Sequence, residues 1–330
     1  MRRLFCTLLA LWLPVAASGA DTRSVARGYT LVPGRFVQGQ QPDGNSVLIE
    51  TSDGLVVFDT GRHPAHTQRL LDAATEQREP IIAVINSHWH LDHVGGNLMI
   101  RKAYPEAQVH ASGAIDGALT GFLANYKKQL TELLGRAADG SPDQAAYRAE
   151  LALIDNGEGL KPTHVVTRSH TVTIGEHELR LNLERNAVTG GDIWLFDRKT
   201  RTLLAGDLVT LPAPLLDTAC PQRWQRALGH FAETTFRQLV PGHGPVMDRD
   251  EFDQYRTALD HFLTCGSSTA AKQQCIDGWL ADTRGLIPDQ DKKLAEGLLD
   301  YYVDSVLRGD PKRLAERCGA TQPVAPPAGE

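Results

Sequence analysis

The order of apolar and polar positions changes its period several times along the chain. Residues 30–32 and 35–37, separated by Pro33-Gly34, alternate as short strands, and Ser46–Glu50 and Leu55–Phe58, joined across Ser52-Asp53-Gly54, read as a hairpin. From 68 to 77 the apolar positions Leu70, Leu71 and Ala74 fall at helical spacing and lead into the continuous apolar run 80–85, the pattern of a buried strand. A helix over 95–104 and a strand over 107–110 follow. This β-α-β succession predicts a layered α/β fold. Residues 114–154 lack β character, and their first half spaces Leu119, Phe122, Leu123, Tyr126, Leu130, Leu133 and Leu134 as the stripe of a core-facing helix. Two more hairpins are predicted, 171–174 with 179–183 and 192–196 with 202–205. Beyond residue 243 the pattern is helical: an amphipathic helix over 248–262, then shorter ones over 272–282, 291–308 and 311–317, with packing against the main domain as their expected role. The Pro/Ala-rich end, 321–330, is expected to be disordered.

With 330 residues and 42% hydrophobic content the chain can bury a large core. Residues 1–20 have the layout of a secretory signal peptide: Arg2 and Arg3, an apolar stretch 4–16, then Ser18-Gly19-Ala20. That stretch is too short to span a bilayer comfortably, and no later run is long enough. The expected mature protein is periplasmic or secreted, with a main domain over 21–264 and a helical extension over 265–320; an uncleaved anchor is the alternative. Losing two arginines and no acids moves the formal charge from −6 to −8, with 32 basic against 40 acidic residues. Such a balance argues against nucleic acid or an anionic membrane as partner. Four cysteines remain, Cys220, Cys265, Cys275 and Cys318. An even count in an oxidising compartment implies two disulfides among three pairings, with Cys265–Cys275 favoured across its short loop and buried free thiols as the alternative.

The densest chemistry lies in Ser87-His88-Trp89-His90-Leu91-Asp92-His93, directly after the buried strand. In extended backbone residues i and i+2 face one side, so His88 and His90 can converge on a cation while Trp89 faces away. Asp92 and His93 sit where the chain turns toward a helix and can aim at a second point on the same rim. Imidazole nitrogen and carboxylate oxygen are donors suited to zinc or a similar divalent metal. A lone histidine would be read as an ordinary surface or core residue. Four ligand-type residues within six positions predict a metal site instead. Residues 114–154 follow this cluster directly, so a second reading of their helical stripe makes it a cover over the mouth of the site.

His-x-His-x-Asp-His after a buried strand resembles the metallo-β-lactamase superfamily of metal-dependent hydrolases, and the resemblance runs over about residues 30–260. It implies a four-layer αββα sandwich. Asp59, in Asp59-Thr60-Gly61, matches a residue that braces the metal loop, with a plain turn aspartate as the alternative. Asp207, in Gly206-Asp207, matches the carboxylate that bridges two metals, and His243, in Pro241-Gly242-His243, matches the last ligand. Where the family places a further histidine, before a Thr-x-Gly-Asp segment, this chain has Val188. The implied ligand set is therefore asymmetric: Asp92, His93, His243 and an oxygen of Asp207 at one position, but only His88, His90 and Asp207 at the other. Two ions with one loose, a single ion, or recruitment of His63 or His66 are the open outcomes.

The resemblance further implies Zn2+, one or two ions, acting on a small-molecule substrate. A divalent cation lowers the pKa of bound water and polarises the scissile group, while Asp92 or Asp207 orients that water and passes its proton on. Carboxylic-type bonds lead (β-lactam amide, ester, thioester or lactone), ahead of phosphate or sulfate esters. No Ser/His/Asp pattern or Gly-x-Ser-x-Gly elbow competes. The alternative from a different class is a non-catalytic or nearly inactive metal-binding protein with a degenerate first metal position. Nothing in the sequence sets the oligomeric state.

Overall fold

The continuous apolar runs become strands buried on both faces, because each is sandwiched between a second sheet and a helical layer. The computed structural model describes residues 22–37 and 40–319; the expected signal segment and the Pro/Ala-rich tail lie outside them. Seven strands form the first sheet in sequence order: β1 (Arg23–Ala26), β2 (Tyr29–Val32), β3 (Ser46–Glu50), β4 (Leu55–Phe58), β5 (Ile81–Ile85), β6 (Gln108–Ala111) and β7 (His164–Val165). The pairing is antiparallel through β4 and parallel from β4 to β7. The second sheet has the order β12-β11-β10-β9-β8, from β8 (His170–Ile174), β9 (His177–Glu184), β10 (Asp192–Asp197), β11 (Thr202–Thr210) and β12 (Gln238–His243). Only its β11–β12 pair is parallel.

Twelve α-helices are described: α1 (Pro64–Gln77), α2 (Leu91–Val94), α3 (Asn97–Ala103), α4 (Ala114–Thr120), α5 (Phe122–Leu134), α6 (Pro142–Asp155), α7 (Gly157–Leu160), α8 (Pro221–Ala232), α9 (Arg249–Gly266), α10 (Lys272–Asp282), α11 (Lys292–Tyr302) and α12 (Pro311–Gly319). Alternation along the strands sorts the layers. Val47, Ile49, Val56 and Phe58 of the first sheet meet Leu181, Ile193, Leu195 and Leu204 of the second. Their neighbours Leu48, Leu55 and Val57 face outward onto Leu70 and Ala74 of α1 and Ile100 of α3. On the far side, Trp194, Leu203 and Leu239 pack under Trp224 and Phe231 of α8 and Phe252 and Tyr255 of α9. The result is the αββα sandwich expected from the sequence. The same outer cluster continues into α10 and α11 through Trp279, Ala295 and Leu299. Disulfides Cys265–Cys275 and Cys220–Cys318 fasten α9 to α10 and α8 to α12, with Cα separations of 5.4 and 5.0 Å. Among the described residues no helix is long and apolar enough to cross a membrane.

Two expectations need correction. Residues 35–37 form no strand: Gly34 N–H donates to Asn45 Oδ1 at 2.9 Å and Asp43 N–H to the Arg35 carbonyl at 3.2 Å, which holds the segment as a loop. Its Phe36 ring packs 5.0 Å from the His243 ring instead. The single stripe read across 119–134 is divided at Gly121, whose φ of −108° and ψ of −98° end α4 and begin α5. Leu123 and Leu130 are buried, whereas Phe122 and Leu133 are exposed.

Candidate metal centre

The parallel strands of both sheets deliver their carboxyl ends to one rim, the position where such sheets commonly place their sites. Asp59 follows β4, residues 87–93 follow β5, Asp207 lies within β11, and His243 closes β12. Asp59 is fully buried and takes a φ of 59°, a left-handed conformation that few non-glycine residues adopt. Its Oδ1 accepts Ser87 N–H at 2.7 Å, and its Oδ2 accepts Ser87 Oγ–H at 2.7 Å and faces His93 Nδ1 at 2.8 Å. The loop is thus bound to the preceding strand end by one carboxylate.

These contacts decide which nitrogen of each ring is free. His93 Nδ1–H donates to Asp59, which leaves Nε2 facing inward. The Ser87 hydroxyl gives its proton to Asp59, so it accepts from His88 Nδ1 at 2.9 Å, and His88 Nε2 is left with its lone pair. Thr218 Oγ1 donates to the Val188 carbonyl at 2.8 Å and accepts from His90 Nε2 at 3.0 Å. The free nitrogen of His90 is therefore Nδ1.

The free atoms converge in two groups that share Asp207. His93 Nε2 lies 3.0 Å from Asp207 Oδ1 and 3.6 Å from Asp92 Oδ2, and His243 Nε2 lies 3.1 Å from Asp92 Oδ2 and 3.5 Å from Asp207 Oδ1. On the other side His88 Nε2 is 3.5 Å and His90 Nδ1 4.0 Å from Asp207 Oδ2. In each group the donor atoms all lie within 4.8 Å of one another, the separation a metal ion requires. All six sequence-singled residues are present. His63 and His66 join neither group: His63 pairs with Asp43 at 2.9 Å, and His66 is held between Ser46 and Arg69, at 2.8 Å from each.

A cation fits here on three counts. His88 Nε2 and both oxygens of Asp207 are buried with no hydrogen-bond partner, which native interiors seldom tolerate. With Nδ1–H committed to Asp59, the 3.0 Å approach of His93 Nε2 to Asp207 sets a lone pair against a carboxylate unless positive charge intervenes. The titration directions mark the same surplus of negative charge. Burial pushes the His93 ring down, but Asp207, Asp59 and Asp92 more than offset it, so that without an ion Nε2 holds a second proton toward Asp207, the positive charge that an ion would replace. Burial raises the carboxyls of Asp92 and Asp207, and His93 with its neighbours pulls both below theirs. Burial, His93 and His90 push His88 well down, toward the neutral form that ligates.

Several residues around the centre have no local sequence signal. Thr218 orients His90. Arg62, buried, donates through Nη2 toward Asp92 Oδ1 at 3.5 Å and through Nη1 to Glu150 of α6, so the 114–154 segment reaches the centre through an ion pair. A cavity of about 450 Å3 opens beside His90 and Asp92. Its walls include Phe122 and Tyr126 of α5 and also Leu298 and Tyr301 of α11, from helices expected only to pack. Val188 supplies no donor; its side chain is buried in the apolar cluster beneath the second sheet.

Residues 40–269 match the sequence profile of the family described as the metallo-beta-lactamase superfamily. A metallo-beta-lactamase from Pontibacter korlensis superposes with a TM-score of 0.53 at 19% identity, over 73% of this chain and 98% of that one. The metallo-beta-lactamase FIM-1 from Pseudomonas aeruginosa, in its mono-zinc form, superposes with a TM-score of 0.52 at 14% identity, over 72% and 94%. Among curated sequences, a hydroxyacylglutathione hydrolase from Synechococcus sp. is 34% identical over 76 residues, 23% of this chain and 30% of the relative. An (R)-specific secondary-alkylsulfatase from Pseudomonas sp. is 34% identical over 180 residues, 53% and 26%. The chain thus spans less than a third of the length of either curated relative.

Proposed function

We propose that this chain, which belongs to the metallo-beta-lactamase superfamily, is a zinc-dependent hydrolase of a carboxylic-type bond in a small molecule. The observation that carries the reading is the convergence of two buried donor groups on Asp207. Asp92, His93, His243 and Asp207 would hold one ion and His88, His90 and Asp207 a second. Bound there, zinc supplies a Lewis acid and lowers the pKa of water toward neutrality. The chain's own part is to orient and to exclude. Asp59 fixes His93 and, through Ser87, His88; Thr218 fixes His90; Arg62 keeps one oxygen of Asp92 occupied and leaves Oδ2 for the pocket. Asp92 and Asp207, held ionised, are the acceptors for a proton from the attacking water. Export to the periplasm or beyond is part of the proposal, supported by the two disulfides.

With three donors against four, the His88/His90 position should be the weaker. Titration of metal-free protein with zinc against a competing chelator, with metal analysis, is expected to give one tight equivalent and one at least about tenfold weaker. Two equally tight equivalents would contradict the asymmetry, and none would remove the metal. The loaded protein is then assayed on lactam, ester, thioester, lactone and sulfate ester panels, where cleavage of a carboxylic-type bond is the expected result. Val188, buried beside the Thr218–His90 contact without a donor, favours a second reading: a binding protein with a degenerate position. A large gain of activity in Val188→His would support that decayed state, and no gain or a loss an adapted site.

A further inference from the structure

The cavity differs in character from the centre it adjoins. Phe122, Leu123 and Tyr126 of α5 form one wall and Leu294, Leu298 and Tyr301 of α11 the other. Phe122 is 43% exposed, Leu294 38% and Tyr301 53%. These are three of the six large hydrophobic side chains left exposed among the described residues. Scattered exposed apolar residues need no explanation, but half of them gathered at one mouth mark a binding surface.

The charges in the lining point the same way. Among the described residues its one guanidinium is that of Arg62, whose terminal nitrogens pair with Glu150 and Asp92 and so balance its charge, while Nε is buried without a partner. Asp217 also faces the cavity, with Oδ2 accepting the Tyr302 hydroxyl at 2.6 Å. Arg317 donates to the carbonyl of neighbouring Leu216 and is not among the lining side chains. Among the described residues the lining therefore offers a carboxylate and no uncommitted cation.

Building on the hydrolase reading above, we infer that the cavity between α5 and α11 selects uncharged substrates with a bulky apolar group on the acyl side. It disfavours those whose acyl chain ends in a carboxylate, with Asp217 as the discriminating residue. An apolar chain gains by leaving water against the two walls. An anionic chain loses its hydration in the same space, meets Asp217 and finds no partner.

The test uses the zinc-loaded full chain and three esters: 4-nitrophenyl acetate, 4-nitrophenyl hexanoate and the mono-4-nitrophenyl ester of adipic acid. The expected kcat/KM for the hexanoate is about tenfold or more above the acetate and about tenfold or more above the adipate ester. Tyr301→Ala should lower the hexanoate-to-acetate ratio, and Asp217→Asn should raise the adipate-to-hexanoate ratio. A binding arm independent of turnover measures 1-phenyl-2-hexanone and its chain-terminal carboxylate analogue by fluorescence quenching that a Trp89→Phe control loses. Tighter binding of the ketone, with neither these esters nor any lactam, thioester, lactone or sulfate ester of the wider panel cleaved, would uphold the cavity and overturn the hydrolase reading. Esters cleaved with flat ratios, or ratios unmoved by Asp217→Asn, would overturn the cavity inference and leave the hydrolase reading standing.

Discussion

Asp59 Oδ2 lies 2.8 Å from His93 Nδ1 while the same oxygen accepts the Ser87 hydroxyl, whose own oxygen faces His88 Nδ1. One carboxylate thus sets the ring orientation in both donor groups. Asn at 59 keeps the size but exchanges an acceptor for an N–H2, which would face a donor whichever way the amide turns. Asp59→Asn is expected to weaken zinc binding about 10- to 100-fold. Ser87→Ala, which cuts only the branch to His88, should weaken mainly the second equivalent. Chelator competition on both variants reads this, and equal losses at both equivalents in Ser87→Ala would contradict the branching.

Gly242 has no side chain because Asp207 occupies that space. A Cβ built there overlaps Asp207 Oδ1 and the backbone of residues 206–207, closer than any real Cβ approaches, so something must shift. Since Asp207 belongs to both donor groups, Gly242→Ala should remove both metal equivalents together while the αββα core, defined elsewhere, persists. Metal analysis beside circular dichroism would show this. A folded variant that retains the tight equivalent would refute it.

Glu150 and Arg62 stand 88 positions apart in sequence, yet both are buried and paired beside Asp92. Removing the one cation of a buried ion network leaves its carboxylates without compensation, at a cost of about 3–5 kcal/mol. Arg62→Met, which strips the cation from both Glu150 and Asp92, is therefore expected to destabilise the fold by that order, and Glu150→Ala, in which Arg62 keeps Asp92, by less. Urea denaturation of the two variants measures it, and a Glu150→Ala protein as unstable as Arg62→Met would count against the shared pairing.

What the sequence made legible follows from range. His88, His90, Asp92 and His93 lie within six residues, so strand periodicity and spacing brought them together, and the glycine before His243 marked the end of β12; the pattern sets Asp207 just past a strand ending at 205, but β11 continues to Thr210 and holds it inside. Thr218 is 128 positions from His90 and Glu150 88 from Arg62, and no local pattern announces such contacts. Phe36 alternates with its neighbours as a strand residue would, but its loop turns it to the pocket. In α11 the pattern correctly gave a buried face, with Ala295, Leu299 and Tyr302 in the core. It did not show that Leu294, Leu298 and Tyr301 form a second apolar face toward the cavity, because periodicity counts apolar positions without saying what they meet.

His66 provides a pH test apart from the metal ligands. Arg69 donates to its Nδ1 at 2.8 Å, so Nε2 carries the proton given to Ser46 Oγ, also at 2.8 Å, and the ring is locked neutral. Burial, with Arg69 opposing Asp43, pushes its pKa from 6.5 down to about 4. With the folded value below the unfolded one, the unfolded chain binds the proton first as pH falls. The stability due to a neutral His66 is thus complete above pH 6.5 and is lost as pH falls toward about 4. A shift of this size corresponds to roughly 3 kcal/mol. His110, also pushed down to about 4 by burial and by His164 and His170, contributes in the same window and is common to wild type and variant. Gln at 66 can accept from Arg69 and donate to Ser46 without titrating. Denaturation midpoints at about pH 7 and about pH 4.5 should therefore show a smaller acid loss in His66→Gln than in wild type, by on the order of 3 kcal/mol; equal losses would place the acid sensitivity elsewhere.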